Sequence, residues 1–380
     1  MFSFLTPFEI DFDFEIAQQY GLLGGEIDIL HQLSTLNIDD YNIAILGVEE
    51  ERNAINNEGT KYAPNEIRKS LYKLYPGKWK HKILDLGNLK IENKIDDTYH
   101  YLKEITTWVT KKNISLIVLG GSQDLTYAIT KSFNTNNKTY NLSVIDASID
   151  SLIIDEEIDN NNYLTKLLND KNSLVLNLNI LGVQAYYNHP FKFKLFNDLY
   201  VNYYHLGKLI NNIEETEPEL RESDIISIDI NSIKNSVMPG QKESKPNGFD
   251  GLNINIISKY SGISVQNKVF GVFEYNPFYD KNKLGANLIA QMIWYYIEGK
   301  NAYIDDYPLI PKNDLTKFYV DNEVVQLHFY KNVKSGRWWV QIPKKTNEEI
   351  LYPCSEKDYQ KAIEKKISDR IYRIINKNLL

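Results

Sequence analysis

Four short segments of this chain place polar side chains at spacings that suit a hard metal ion. They are Gly120-Gly121-Ser122-Gln123-Asp124, Asp146-Ala147-Ser148-Ile149-Asp150, Ser227-Ile228-Asp229-Ile230-Asn231 and Phe273-Glu274-Tyr275-Asn276-Pro277. Asp146 and Asp150 stand four apart, and Asp229 closes a second apolar run. Carboxylates placed in this way converge on one cation, because hard ions prefer oxygen ligands. One such segment alone says little; four in order, each at the end of an apolar run, say much more. The Gly120-Gly121 pair lacks the Lys-Ser/Thr of a phosphate loop and the third glycine of a dinucleotide fingerprint. It reads as a tight turn after a buried strand.

Those segments need a scaffold, and the apolar runs before them supply one. Ile43 to Gly47, Lys82 to Gly87, Ser115 to Leu119, Leu142 to Ile145, Leu174 to Leu178, Ile225 to Ile230 and Val269 to Phe273 are short and largely apolar. Runs of that kind suit strands covered on both faces, as in parallel sheets. Helical periodicity appears over Pro64 to Leu74, Tyr99 to Val109 and Leu284 to Ile297. Strand and helix alternate over about 300 residues, which predicts a doubly wound α/β domain whose site lies at the carboxyl ends of its strands.

The last 80 or so residues follow another pattern. Phe318 to Asp321, Val324 to Tyr330 and Arg337 to Ile342 read as a small antiparallel meander, with a turn at Lys334-Ser335-Gly336. A terminal helix is expected over Glu356 to Ile375. The boundary falls near Gly299 to Pro311, which gives domains of 1–300 and 301–380. Trp338 and Trp339 are adjacent in a strand and so face opposite ways. With Arg337 they form a possible interface, and the simpler expectation is that both rings seal the small domain onto the large one.

The bulk composition narrows the function classes. The 380 residues carry a formal charge of -7, and 43% are hydrophobic. No basic stripe suggests nucleic acid. No run approaches the length of a membrane span, and the acidic, aromatic N-terminus does not read as a signal peptide. The single cysteine, Cys354, excludes an internal disulfide. A cytoplasmic protein is expected.

The four segments, with Gly47 and Gly59-Thr60-Lys61-Tyr62-Ala63-Pro64 through Ile67-Arg68, resemble the arginase, agmatinase and formimidoylglutamase family over roughly residues 40 to 299. The tail around Ser335-Gly336-Arg337-Trp338-Trp339 resembles the extension of a formimidoylglutamase-like branch in Bacteroidetes. The resemblance implies an arginase-like, doubly wound, mostly parallel sheet with a small C-terminal α+β extension. It also implies a two-manganese site built from Gly-Gly-x-His, Asp-Ala-His-x-Asp and Ser-x-Asp-x-Asp.

Against those motifs this chain has lost ligands. Gln123 and Ser148 stand where the family has histidines, and Asn231 stands where it has an aspartate. Asp146, Asp150 and Asp229 remain. Glu274, Asn276 and Pro277 match the family's substrate-facing Glu-x-Asn-Pro. The first metal position would keep Asp146, Asp150 and Asp229 with Gln123 as a weak oxygen donor. The second would keep only the shared Asp146 and Asp229 beside neutral Ser148 and Asn231. Two-metal activation of water needs both positions. The expected function is therefore non-catalytic: a binding or scaffolding protein, with a protein partner or as a homo-oligomer, and no cofactor. The alternative is an amidine or guanidine hydrolase with one Mn²⁺, Mg²⁺ or Ca²⁺, in which Glu274 holds the cationic end of the substrate. Of the histidines outside the motifs, His189 is the first to check as a replacement ligand, although a loop residue beside Pro190 is the simpler reading.

Overall fold

A computed structural model describes residues 2–32, 35, 37–134, 138–151, 157–302, 314–321, 325–342 and 350–379. Ten strands form one sheet: β1 (Leu5–Thr6), β2 (Asp28–Ile29), β3 (Ile43–Gly47), β4 (Ile83–Leu89), β5 (Ser115–Leu119), β6 (Tyr140–Ile145), β7 (Val175–Val183), β8 (Asn202–His205), β9 (Ile225–Asp229) and β10 (Val269–Phe273). The order is β1-β4-β3-β5-β10-β9-β6-β7-β8, with β2 also paired to β4. Every pairing is parallel except that of β1 with β4. All seven apolar runs are strands of this sheet, as expected for the α/β class.

Alternation along each strand explains why both faces are covered. Ile43, Ile45, Ile117, Leu119, Ile226 and Ile228 point to one side, where helices Ala63–Leu71, Gly251–Ile263 and Leu284–Asn301 pack. Ala44, Leu46, Leu116, Val118 and Ile225 point to the other, against helices Ile95–Lys111, Leu125–Phe133 and Tyr163–Asn169. Both layers exclude water, which is the main source of stability in such a fold.

A buried charge cluster locks the helix Ala63–Leu71 to the sheet. Arg68 is fully buried and forks onto both carboxylate oxygens of Asp85 at 2.8 and 2.9 Å. It also donates to Asn88 Oδ1 and to the Gly87 carbonyl. The Phe8 ring lies 4.3 Å from its guanidinium carbon. The Ile67-Arg68 pair singled out in the sequence is therefore a structural anchor in this chain.

The C-terminal extension is a second, antiparallel sheet of β11 (Leu315–Asp321), β12 (Gln326–Asn332), β13 (Trp338–Gln341) and β14 (Leu351–Cys354), in that order. The fourth strand was not expected. The single terminal helix expected over Glu356 to Ile375 is two helices, Glu356–Ile363 and Asp369–Leu379. The chain turns between them at Lys365, whose φ of 61° no helix tolerates, and Ser368 Oγ accepts the N–H of Ile371 to start the second helix. Most of the expected boundary around residues 299–311 lies outside the described residues, as does Val324.

The extension is sealed onto the large domain by the tryptophan strand. Trp338 and Trp339 are both buried. Trp338 stacks on Tyr359 within the extension, and Trp339 lies under the Arg221 guanidinium of the large domain at 4.7 Å. Arg221 also donates to the Trp338 carbonyl at 2.7 Å, and Arg337 pairs with Glu217 at 3.0 Å. Neither ring is left for a partner. Ser355 caps the helix Glu356–Ile363 in a reciprocal pair with Asp358 and also donates to Glu215 Oε2 across the junction at 3.0 Å. Ser355→Ala should cost about 1 kcal/mol in a denaturant titration. Among the described residues no helix is long and apolar enough to cross a membrane.

Candidate metal centre

The strands β5, β10, β9 and β6 are consecutive neighbours and parallel, so their carboxyl ends share one edge. Leu119 pairs with Val272, Phe273 with Asp229, and Ile228 with Ile145. Gly120, Glu274, Asn231 and Asp146 therefore all emerge together. That register brings the four sequence segments, which span more than 150 residues, into one site.

Asp146, Asp150 and Asp229 offer oxygens that lie within 4.8 Å of one another, and all three are buried. Backbone N–H groups hold two of them. Asp146 Oδ1 accepts the Ser148 N–H at 2.9 Å, and Asp229 Oδ1 accepts the Asn231 N–H at 2.7 Å. Asn188 braces the connecting backbone by accepting the Ile149 N–H and donating to the Ala147 carbonyl. Asp146 Oδ2 is buried with no hydrogen-bond partner.

Burial and mutual repulsion dominate the electrostatics. Burial, and next the charge of Asp150, hold the Asp146 carboxyl far above the usual carboxylate range. Burial pushes Asp150 up to about 7, with Asp229 adding to it. Burial and the Asp146 charge push Asp229 to about 7 as well. A cation would reverse this, because it favours the ionised form of each.

Gln123, at the position of the first lost histidine, is fully buried. Its side-chain nitrogen donates to Ser227 Oγ at 3.3 Å, and its oxygen is left without a partner. Ser148 and Asn231, at the other two lost-ligand positions, are half-buried.

Glu274 is committed to the protein. Its Oε1 accepts the Gln123 N–H at 2.8 Å and its Oε2 accepts Asn57 Nδ2 at 2.9 Å. It is buried, and its φ of 67° is unusual for a side-chain-bearing residue. Burial, then the nearby Asp229, raise its carboxyl to about 8. Asn276 donates to Asn57 Oδ1 at 3.0 Å and to the Glu58 carbonyl at 2.8 Å, and caps the following turn by accepting the Phe278 N–H. Both residues tie the loop after β3 over the ends of β5 and β10.

The glycine pair has a packing explanation. A Cβ on Gly120 would meet the Phe273 ring at 2.1 Å, and one on Gly121 would meet the Glu50 carbonyl oxygen at 1.9 Å. The loop after β3 passes too close for any side chain there. Asn160 binds Asn53 and Ile55 rather than the aspartates.

His189 does not join the site. It is exposed and caps the helix Pro190–Asp198, where Nδ1 accepts the Phe191 N–H at 3.2 Å. Its neighbours do reach the second motif. Asn188 is one, and Lys192, whose ammonium donates to the Ile149 carbonyl at 2.6 Å, is the other. Sequence reasoning missed Lys192, Asn57, Tyr163 and Lys245. The Tyr163 hydroxyl is buried, has no partner, and feels the charge of all three aspartates and Glu274. Lys245 lies in the loop between Asn231 and Asp250 and is buried.

The residues fit one cation and not two. The unpartnered oxygens of Asp146 and Gln123 are acceptors that burial makes costly unless something electropositive meets them. Asp146, Asp150 and Asp229 form an all-oxygen set for a hard ion. The second position offers only the two shared carboxylates and two neutral side chains, which do not form a tight site.

Comparison with known proteins agrees with this geometry of strands and loops. No match to the chain was found among curated proteins. Solved structures similar in fold include the formiminoglutamase of Trypanosoma cruzi with Mn²⁺ (16% identity, 72% of this chain and 98% of that one, TM-score 0.66). The formimidoylglutamase of Bacillus subtilis (18%, 72% and 95%, 0.63) and the agmatine ureohydrolase of Thermoplasma volcanium (17%, 70% and 92%, 0.60) are similar in the same way. The sequence model of the arginase family matches residues 41–298. With that match across most of its length, and with the four motif segments gathered on one sheet edge, the chain belongs to the arginase family.

Proposed function

We propose that this chain is a non-catalytic member of its family, a cytoplasmic binding or scaffolding component that acts with a protein partner or with further copies of itself. We place it in the formimidoylglutamase-like branch of Bacteroidetes on the motifs of its core and tail. One observation carries the functional reading. Beside the aspartate cluster, Ser148 and Asn231 supply no imidazole and no carboxylate, so the second of a bridging pair of ions has only the shared carboxylates to hold it. The fate of Glu274 points the same way. Each of its oxygens accepts a hydrogen bond from the protein, one from Asn57 and one from the Gln123 N–H.

A second reading is supported by the unpartnered oxygens of Asp146 and Gln123. In it Asp146, Asp150, Asp229 and Gln123 hold one Mn²⁺, Mg²⁺ or Ca²⁺, and the chain hydrolyses a linear amidine or guanidine. A bound ion there would lower the pKa of a coordinated water. The protein's own part would be to keep the carboxylates ionised and the site buried.

Hydrolysis assays on arginine, agmatine and N-formimidoylglutamate with each of the three ions separate the readings. The first expects no turnover above buffer. Turnover at ordinary enzyme rates, about 1 per second or faster, would overturn it in favour of the second.

A further inference from the structure

The docked extension borders a cavity at the other end of the sheet from the aspartates. It measures about 560 Å³ and lies between β6, β7 and β8 on one side and β14 with the helix Asp369–Leu379 on the other. Asn141 lines it near the start of β6, whereas Asp146 follows the end of that strand. At the rise of a strand the two stand about 16 Å apart. A row of amides lines the sheet side and spends its own donors. Asn202 Nδ2 donates to Asn179 Oδ1 at 2.8 Å, and Asn179 Nδ2 to Ser143 Oγ at 3.1 Å. Asn177 Nδ2 donates to Asn141 Oδ1 at 2.8 Å, and Asn141 Nδ2 to the Glu222 carbonyl at 2.8 Å. A row of amides that donate in one direction leaves an acceptor at its start. That acceptor is Asn202 Oδ1, which is buried with no partner.

The charged groups of the lining divide into spent and unspent. Arg370 pairs with Glu215, Glu219 and Asp358. Asp224 accepts the Asn141 N–H at 2.8 Å. Two groups of opposite sign are left. Glu222 is half-buried, and among the described residues its carboxylate makes no hydrogen bond or ion pair. The adjacent Arg221 is turned to Glu217 and the Trp338 carbonyl instead. Arg373, from the extension, gives one N–H to the Tyr204 hydroxyl and lies 4.6 Å from that ring, and its other donors have no partner among the described residues. Tyr204 is on β8, and the Glu222 backbone is held by Asn141 on β6, with β7 between them. Two strand spacings are about 10 Å, a gap that a small molecule bridges. A carboxylate and a guanidinium removed from water without partners are costly, and a ligand of matching charges offsets that cost.

We propose that this junction cavity binds a small zwitterion of the amino-acid class, with its ammonium paired to Glu222 and its carboxylate to Arg373. Asn202 Oδ1 takes a further N–H of the ligand. The guanidinium fork matches a carboxylate in shape as well as charge. The volume falls in the range of small-molecule sites, which favour domain junctions. Glu222 belongs to the large domain and Arg373 to the extension, so the ligand ties one to the other. This gives the extension a use of its own, independent of what the aspartate centre holds.

Thermal melts of the full chain with each of the common amino acids at about 10 mM test it, followed by calorimetric titration of those that raise the melting temperature. At least one amino acid is expected to bind. Its decarboxylated amine and its deaminated acid are each expected to bind at least about tenfold more weakly, because each leaves one charge of the cavity unpaired. Glu222→Gln and Arg373→Gln are expected to weaken the parent amino acid by about tenfold or more, with metal content unchanged. If Arg373→Gln does not fold, Arg373→Lys, which keeps the charge and loses the fork, is expected to weaken binding in the same direction. No binding by any amino acid, or an amine or acid that binds as well as its parent, would overturn the proposal. So would an affinity within about twofold of wild type in Glu222→Gln, and loss of that binding in Asp146→Asn would then put the ligand at the aspartates. Turnover by wild type would overturn the non-catalytic reading and leave this result standing, so the two failures are distinguishable.

Discussion

Metal-free protein should lose stability as the pH rises from about 5 to about 8, and Asp229→Asn should restore much of it at the alkaline end. The cause is the aspartate cluster. Asp150 and Asp229 titrate at about 7 in the folded chain, and near 4 once unfolded. Between those values the folded chain binds more protons than the unfolded one, so stability falls as pH increases. The stabilising proton is fully present below the unfolded value and is gone once the pH has risen through about 7. A carboxyl displaced that far corresponds to at most about 4 kcal/mol. The three groups act together, because each new charge raises the cost of the next. Glu274, raised to about 8 by burial and Asp229, extends the loss to higher pH. Asparagine at 229 keeps the shape and removes one charge. Melting curves at pH 5 and pH 8, with and without Mn²⁺, read this directly. With Mn²⁺ bound, the trend should reverse, since the ion binds the ionised carboxylates. A flat pH profile in the metal-free protein would show that the three aspartates are not in the unneutralised cluster described here.

Restoring the three lost ligands should restore the second ion. The variant Gln123→His/Ser148→His/Asn231→Asp is expected to hold two Mn²⁺ per chain where wild type holds one at most. Ser148 and Asn231 are half-buried, so larger side chains fit there at lower cost than in the core. Gln123 is the demanding position, because its amide nitrogen already binds Ser227 and its surroundings are fully buried. An imidazole there must keep that contact or leave Ser227 to Thr126, which lies 2.7 Å from it. Metal analysis after gel filtration checks the count. One ion or none in the folded triple variant would mean that the ligand losses are not what limits the site.

Much of the scaffold was legible in the chain. Continuous runs such as Ser115 to Leu119 and Val269 to Phe273 have every residue buried, and only a strand covered on both faces demands that pattern. The aspartates could be grouped because each follows such a run, and parallel strands put their ends together. What escaped has physical reasons. Strand β8 is Asn-Tyr-Tyr-His at the sheet edge and half-buried throughout, so no apolar run marks it. The terminal helix keeps its helical pattern across the turn at Lys365, a break that no glycine or proline announces. Asn57 meets Glu274 across 217 residues, a contact that only the closed sheet creates. Lys192 is a common surface residue by type, and its hydrogen bond to the Ile149 carbonyl inside the second motif is a property of the fold alone. The expectation that Glu274 faces a substrate came from its place in a motif, whereas its partners in this chain are Asn57 and the Gln123 N–H.

Metal content by mass spectrometry, on protein purified without chelator and dialysed with excess Mn²⁺, tests the central claim most directly. One ion per chain, or none, is the predicted result, because three aspartates and an amide remain for the first position and the second has lost its imidazole and carboxylate. Two ions per chain would contradict the account. It would mean that Ser148, Asn231 or residues from elsewhere in the fold hold the second ion after all.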